Sequence, residues 1–98
     1  MSAPASEIEV EVKVIGMFGA DSVAVARRLT LPPGARVKDA LEALHAAGGI
    51  DQAVLAQARR LRPPLFLVIN DEKVGARGLS VRLADGDVVT VMQLMAGG

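Results

Sequence analysis

Strict alternation of charged and apolar residues near the start of the chain is the feature that most constrains its fold. From Glu7 to Val14 every odd position is charged and every even position is apolar. Successive side chains of a β-strand point to opposite faces, so a period of two predicts a strand with one solvent-exposed face and one buried face. The sequence therefore predicts, close to its start, a strand that packs on an apolar core.

A second strand follows closely. Residues 16–21 contain two glycines and an aspartate, a composition typical of a hairpin connection. The positions that then suggest a buried strand face are Val23, Val25, Leu29 and Leu31. Pro32 ends this strand, because proline has no N–H to donate to a β-ladder. We expect the first two strands to form a hairpin.

Two helices are predicted in the middle of the chain. The first follows from helical spacing of four apolar residues, Val37, Ala40, Leu41 and Leu44, and ends near Gly48 and Gly49. Asp51 is a suitable N-cap for a second, shorter helix that ends before Pro63. The residues that share a face of this second helix are Val54, Leu55, Ala58 and Leu61.

The last third of the chain has the pattern of three further strands. Leu65–Ile69 is a compact apolar run that Asn70 and Asp71 terminate, which predicts a central strand leading into a tight turn. Residues 72–77 predict a short edge strand. A turn over Ala84–Asp87 then opens a final apolar strand that runs to Met95.

This order of elements predicts an α+β fold of the β-grasp (ubiquitin-like) type. We expect a mixed sheet of four to five strands, covered by one main helix plus a short second helix. Residues 1–6 are expected to be a disordered N-terminal tail, residues 7–95 the β-grasp domain, and residues 96–98 a flexible C-terminal diglycine tail.

Composition excludes several classes of function. The 98 residues carry 11 basic and 11 acidic side chains and only two aromatics, so neither charge nor base stacking supports nucleic-acid binding. There is no cysteine for a catalytic thiol or a thiolate metal site. The start of the chain does not resemble a signal peptide, and no apolar run is long enough to span a membrane. We expect a cytoplasmic protein.

Few side chains suggest catalysis or metal binding. His45 is the only histidine, and it lacks a patterned second ligand, so we expect a solvated or packing role. Asp85 and Asp87 flank Gly86 and predict a turn, since a calcium loop needs more oxygen ligands. Arginines 59, 60 and 62 fall at the end of the second helix, where cations complement the helix dipole; recognition of an acidic partner is the alternative. We expect no catalytic residue and no metal site.

The chain ends in Ala96-Gly97-Gly98, directly after the last apolar strand pattern. Glycine lacks a Cβ and tolerates backbone conformations that other residues avoid, so two in succession can thread a narrow tunnel. Such a tail can present its terminal carboxylate to another enzyme. An ordinary frayed terminus is the simpler alternative.

Taken together, these residues resemble the MoaD/ThiS family of ubiquitin-like sulfur carriers. The resemblance covers nearly the whole chain and rests on the alternating first strand, Val37–Leu41 opening the helix, Val68–Asn70 before a turn, Leu83–Val89 entering the last strand, and the closing Ala96-Gly97-Gly98. Residues 48–64 are long for the thiamine-type carrier and closer to the small subunit of molybdopterin synthase. Residues 93–95, by contrast, differ from the proline-rich stretch common in that branch, so another sulfur pathway remains an alternative.

The resemblance implies a carrier and not a catalyst. Gly98 would be adenylated and converted to a thiocarboxylate that donates sulfur in cofactor biosynthesis, most simply that of the molybdenum cofactor. The implied partners are an E1-like adenylating enzyme, a sulfur donor protein and an acceptor synthase subunit, with no nucleic acid and no membrane. ATP and magnesium would be used by the adenylating enzyme, because this chain has no phosphate-cradling loop and is expected to bind no cofactor itself.

Strand alternation also predicts a surface that partners could bind. If Val89 and Val91 face the core, Met92 and Leu94 point outward, and Ile15 does the same in the first strand. These three residues are the candidates for an apolar partner-binding patch. Scattered surface or core residues are the alternative.

Two other functions remain open from the sequence. A ubiquitin-like modifier would use the same adenylated Gly98 but transfer it to a lysine of a target. A non-catalytic β-grasp interaction subunit would not need Gly97 and Gly98 at all.

Overall fold

The computed structural model describes residues 7–18 and 21–93, which form a five-stranded sheet with both α-helices on one face. The elements are β1 (Ile8–Phe18), β2 (Asp21–Leu31), α1 (Val37–Ala46), α2 (Gln52–Arg60), β3 (Leu65–Ile69), β4 (Glu72–Val74), a 3₁₀ helix (Ala76–Ser80) and β5 (Val88–Gln93). Within this part of the chain, no helix is both long and apolar enough to cross a membrane.

The predicted hairpin is formed by β1 and β2, but its strands are longer than expected. Their antiparallel register runs from Ile8 opposite Leu31 to Phe18 opposite Asp21. Gly16 and Met17, which we assigned to the connection, are therefore strand residues. The prediction was wrong because the glycine marked a close approach to another strand, described below, and not the turn.

The strands are ordered β2-β1-β5-β3-β4, and β5 is parallel to β1 and antiparallel to β3. Two hairpins are thus joined by the last strand, which is the arrangement of a β-grasp fold. The predicted fold class is confirmed. The middle strand is β5, whereas β3, predicted as central, has only the short strand β4 beyond it.

The two helices begin and end as their sequences predict. Val37, Ala40, Leu41 and Leu44 are fully buried beneath α1. Asp51 caps α2, because its Oδ1 accepts a hydrogen bond of 2.9 Å from Val54 N. The second helix is hardly shorter than the first, with 9 residues against 10.

The core lies between the helices and one face of the sheet. In β1 and β5 the inward residues are those that alternation predicted, and Val12, Val14, Val89 and Val91 are all completely buried. Leu67 of β3 completes this layer at 0% exposure. Apolar burial of this kind is the main term that stabilises a small domain. The opposite side of the sheet, called the open face below, carries no helix among residues 7–18 and 21–93.

The chain after β4 differs from the sequence prediction. We expected an edge strand as far as Arg77, but β4 ends at Val74 and a 3₁₀ helix follows. Gly78 of this helix is buried, and a Cβ built there would lie 2.8 Å from Leu67 Cδ2. The missing side chain lets this segment pack directly over β3, which a continued edge strand could not do.

The turn before β5 is built by its two aspartates. Asp85 Oδ1 accepts a hydrogen bond of 2.8 Å from Glu9 N. Asp87 Oδ2 accepts from Ala84 N, and its Oδ1 accepts from Asn70 Nδ2, both at 2.8 Å. The two carboxylates therefore fix the position at which β5 enters the sheet, as expected for a turn.

Candidate functional site

The candidate site is the end of β5, from which the sequence continues into the diglycine segment. The predicted site residues Gly98, Gly97 and Ala96, and the patch candidate Leu94, lie outside the described residues. Gln93 is the last residue of β5 and directly precedes them. The structure therefore describes the base of the candidate site, which we call the tail root, and the surfaces around it.

The tail root is held firmly in the sheet. Gln93 is paired with Leu65 of β3. On the other side its Oε1 accepts a hydrogen bond of 2.6 Å from Met17 N of β1. Because β5 has a strand on each side, the position of its last residue, Gln93, is fixed from both directions.

Gly16 allows the close approach of β1 to the tail root. Its φ is +145°, a conformation that side-chain-bearing residues rarely adopt. A Cβ built at this position would lie 2.7 Å from Gln93 Cβ and 3.2 Å from Gln93 N. Gln93 thus occupies the space in which the side chain of any other residue at position 16 would lie.

An apolar surface lies on the open face beside the tail root. Ile15 of β1 is directly opposite Met92 of β5, and Met92 is directly opposite Phe66 of β3. Ile15 and Met17 are 41% and 42% exposed, whereas Met92 and Phe66 are half-buried. The structure thus brings together Ile15 and Met92, the two patch candidates that it describes. Lys73 borders the surface, with its Nζ 5.0 Å from the centre of the Phe66 ring.

A small basic cleft lies on another side of the tail root. It has a volume of about 190 Å³, and its walls include Met17, Arg60, Arg62, Leu65 and Gln93. Arg59 points elsewhere and forms an ion pair of 3.6 Å with Glu42 of α1. Within residues 7–18 and 21–93, neither Arg60 nor Arg62 has a carboxylate within ion-pair distance. Arg59 and Arg60 lie in the last turn of α2, where a cation complements the helix dipole, whereas Arg62 follows the helix. Arg60 and Arg62 also face the cleft.

The only histidine has a packing role. His45 is half-buried, and its Nδ1 lies 2.8 Å from the carbonyl oxygen of Ile50, which ties the end of α1 to the loop before α2. Across the described ranges, no group of three or more His, Cys, Asp or Glu residues is placed to hold a metal ion. The chemical groups of interest are therefore those of the tail and its root.

Sequence reasoning missed two members of this surface. Phe66 belongs to the apolar run that we predicted as a central strand and was not named as a surface residue, yet alternation around the buried Leu67 turns it to the open face. Met17 was assigned to the hairpin connection. For Phe66 the signal was present in the strand period, whereas the position of Met17 depends on how far the hairpin extends.

Comparison with known proteins agrees with this fold. A family model described as the ThiS family matches residues 18–98. SAMP1 from Haloferax volcanii has a similar structure, with a TM-score of 0.58, 21% identity, and coverage of 92% of this chain and 99% of that one. The HVO 2177 protein of the same organism gives a TM-score of 0.59 and 24% identity, covering 100% of this chain and 93% of the other. A comparison with curated proteins gives no match.

These findings differ in what they show. At such low identity the two structures show the shared fold alone. The family model spans most of the chain and reaches its two last glycines. This chain therefore belongs to the ThiS family, whose members are ubiquitin-like carrier or modifier proteins.

Proposed function

We propose that this protein is a sulfur carrier whose terminal glycine, Gly98, is adenylated by an E1-like enzyme and then converted to a thiocarboxylate. The observation that carries the proposal is the family match through residue 98, together with a tail root fixed in the middle of the sheet. A carboxylate is a poor electrophile because its charge repels nucleophiles and its oxygen leaves badly. Adenylation by ATP releases pyrophosphate and forms a mixed anhydride. The terminal sulfur of a persulfide on the donor protein attacks this anhydride and releases AMP, and a thiol then cleaves the S–S bond to the donor, which leaves a thiocarboxylate on the chain and a disulfide as the oxidised product.

The chain would act as substrate and carrier in this scheme. ATP and magnesium are used by the adenylating enzyme, and the sulfur comes from a separate donor protein. Docking holds the thiocarboxylate at the acceptor at high effective concentration. We further propose a molybdopterin-type acceptor, because residues 48–64 contain the complete helix α2, the additional structure usual in that branch.

We propose that the adenylating enzyme and the acceptor recognise the open face next to the tail root. Ile15, Met17, Met92 and Phe66 supply the apolar area, and unbranched methionines adapt to more than one partner surface. Leu94 would extend this patch. Arg60 and Arg62 lie on the adjoining side, where they are available to carboxylates of the same partner.

The absence of cysteine makes the central claim simple to test. A thiol-specific alkylating reagent has no cysteine to label in this chain, so a thiocarboxylate would be its one sulfur nucleophile, distinct from the thioethers of the four methionines. We expect the protein isolated from its native cell to take up one alkyl group, which fragmentation mass spectrometry places on Gly98. A variant lacking Gly97 and Gly98, expressed in the same cell, is the control and should not be labelled.

The same experiment separates the alternatives. Lysine-linked conjugates of the intact chain, together with an unlabelled terminus, would refute sulfur carriage and establish a modifier. If neither species is found and the variant without Gly97 and Gly98 retains biological function, the chain is an interaction subunit and the proposal is wrong.

The recognition surface is tested with purified protein and its adenylating enzyme. Ile15→Thr keeps a β-branched residue in the strand but removes apolar area from the patch, so we expect the KM for the carrier to rise about fivefold with kcat unchanged. Val81→Thr is a matched control, because Val81 is 42% exposed but lies outside the sheet, after the 3₁₀ helix. Equal KM values for the two variants would argue against docking on this face.

A further inference from the structure

The outer edge of β2 is a second surface with the features of a binding site. β2 is the first strand in the sheet order, so none of the other described strands lies on its outer side. Within residues 7–18 and 21–93, no backbone group of β2 forms a hydrogen bond outside its pairing with β1. Alternate residues of an edge strand direct their N–H and C=O groups outward, where an added strand can pair with them.

An open groove runs beside this edge. It has a volume of about 560 Å³ and lies between Ser22–Val25 of β2 and residues 49–54 at the start of α2. Val23 and Val25 line one wall, and Ile50 and Val54 line the other. The exposed surface of this groove is more polar than apolar, with the four apolar side chains set among polar groups. Recognition by strand addition uses both kinds of surface, because backbone groups supply affinity and apolar side chains select alternate residues of the added strand.

The charge at one end of the groove indicates which kind of segment would bind there. Arg27 follows Val25 by two residues, so it lies on the same face of β2. Its Nη1 donates a hydrogen bond of 3.0 Å to the carbonyl oxygen of Ala47, which holds the exposed guanidinium beside the loop that leads into the groove. Within the described ranges Arg27 has no carboxylate partner, so its remaining N–H groups are free to bind one.

Arg28, unlike Arg27, already lies near carboxylates of the protein. It lies on the open face, where it is directly opposite Glu11 and 3.8 Å from Glu9 Oε1. Its charge is therefore already partly balanced by the protein. The two adjacent arginines provide a matched pair, of which only Arg27 is placed to attract an acidic ligand to the groove.

We propose that the β2 edge binds an extended segment of a partner protein, apolar along Ser22–Val25 and acidic beside Arg27, which adds to the sheet as a further strand. A second copy of this chain fits less well. Pairing two copies along β2 would bring Arg27 and Arg28 of both copies to one seam, and any register that sets them opposite one another is destabilising. An acidic segment of another protein would instead balance the charge of Arg27.

Peptide binding to the full, ¹⁵N-labelled chain tests the proposal. The probes are Val-Ile-Val-Ile-Glu-Glu and the reversed sequence, which cover both strand directions, and the same two peptides with Lys in place of Glu. We expect one acidic peptide to shift amide signals of β2 and of residues 49–54, and to slow hydrogen exchange at alternate residues of β2. The lysine peptides should bind about tenfold more weakly.

Variants of the two arginines then distinguish a specific site beside Arg27 from nonspecific electrostatic attraction. Arg27→Gln should weaken the acidic peptide about fivefold, whereas Arg28→Gln should change its affinity less than twofold. Arg27→Glu should reverse the preference between the acidic and lysine peptides, with circular dichroism confirming that the variant is folded. Equal effects of the two glutamine variants would overturn the assignment of Arg27.

Two further outcomes would refute the proposal. If neither acidic peptide binds, or if the shifted amides lie on the open face around Ile15, the β2 edge is not the site. If the free protein dimerises with protection of β2 amides, as sedimentation and hydrogen exchange would reveal together, the edge is occupied by a second copy and not by a partner.

Discussion

Replacing Gly16 with alanine should destabilise the domain more than the same change at a glycine that has a positive φ but open surroundings. Two costs combine at this position. Holding alanine at a φ of +145° costs about 1–3 kcal/mol, and inserting a methyl group 2.7 Å from Gln93 Cβ forces both strands to move, at about another 1–3 kcal/mol. We therefore expect the free energy of unfolding to fall by about 3 kcal/mol.

Two other glycines separate these costs. Gly34 has a φ of +85° with no atom within 4 Å of its built Cβ, so Gly34→Ala carries the backbone cost alone, about 1 kcal/mol. Gly75 has a negative φ, and no atom lies within 4 Å of its built Cβ. Gly75→Ala should therefore be neutral or stabilise the domain by up to about 0.5 kcal/mol. The excess for Gly16 over Gly34 combines the contact with Gln93 and the less accessible φ of +145°.

Urea unfolding followed by far-ultraviolet circular dichroism measures these differences, since the chain has no Trp or Tyr to report by fluorescence. With a denaturant slope of about 1.5 kcal/mol/M, Gly16→Ala should lower the midpoint by about 2 M and Gly34→Ala by less than 1 M. In a double-mutant cycle, Gln93→Gly removes the Cβ that the new methyl group meets and should lower the cost of Gly16→Ala, although the contact with Gln93 N remains. Equal losses for Gly16 and Gly34 in the wild-type background would refute the reasoning.

Three further substitutions test other parts of the fold, each through the urea midpoint of the purified variant. Leu41→Ala leaves a cavity under α1 and should cost about 3 kcal/mol, with a loss below 1 kcal/mol refuting its place in the core. Asp51→Ala removes the cap of α2 and should cost about 1 kcal/mol, while Asp51→Asn should retain most of the stability. Asn70→Ala removes the Oδ1 that accepts from Val88 N and should cost about 1–2 kcal/mol; no loss would show that water replaces it.

The sequence was sufficient for features that depend on neighbouring residues. The alternation over residues 7–14, the helical spacing of Val37 to Leu44 and the Asp51 cap are local patterns, and the structure has each of them. Prediction failed where distant residues decide the conformation. Gly16 is a strand residue because of Gln93, and the chain turns into a 3₁₀ helix after β4 because Gly78 packs on Leu67. Neither contact has a signal in the local pattern.

In the candidate site, too, only the features that follow from a local sequence pattern could be predicted. Ile15 and Met92 could be assigned to one face from strand alternation, and they are in fact paired. The cleft with Arg60 and Arg62 could not be predicted, because it requires the end of α2 to meet the end of β5. The groove beside β2 likewise depends on where the start of α2 lies against the strand edge.

The position of β5 between β1 and β3 also bears on the order of folding. Before β5 is in place, the chain can form the hairpin β1–β2 and the hairpin β3–β4, but no strand pairing connects them. The parallel pairing of β1 with β5 closes a loop of most of the domain, and such distant contacts form slowly. During synthesis the sheet thus remains in two halves until its last strand emerges. Only a chain that has completed its fold has its tail root in place for the activating enzyme that we propose.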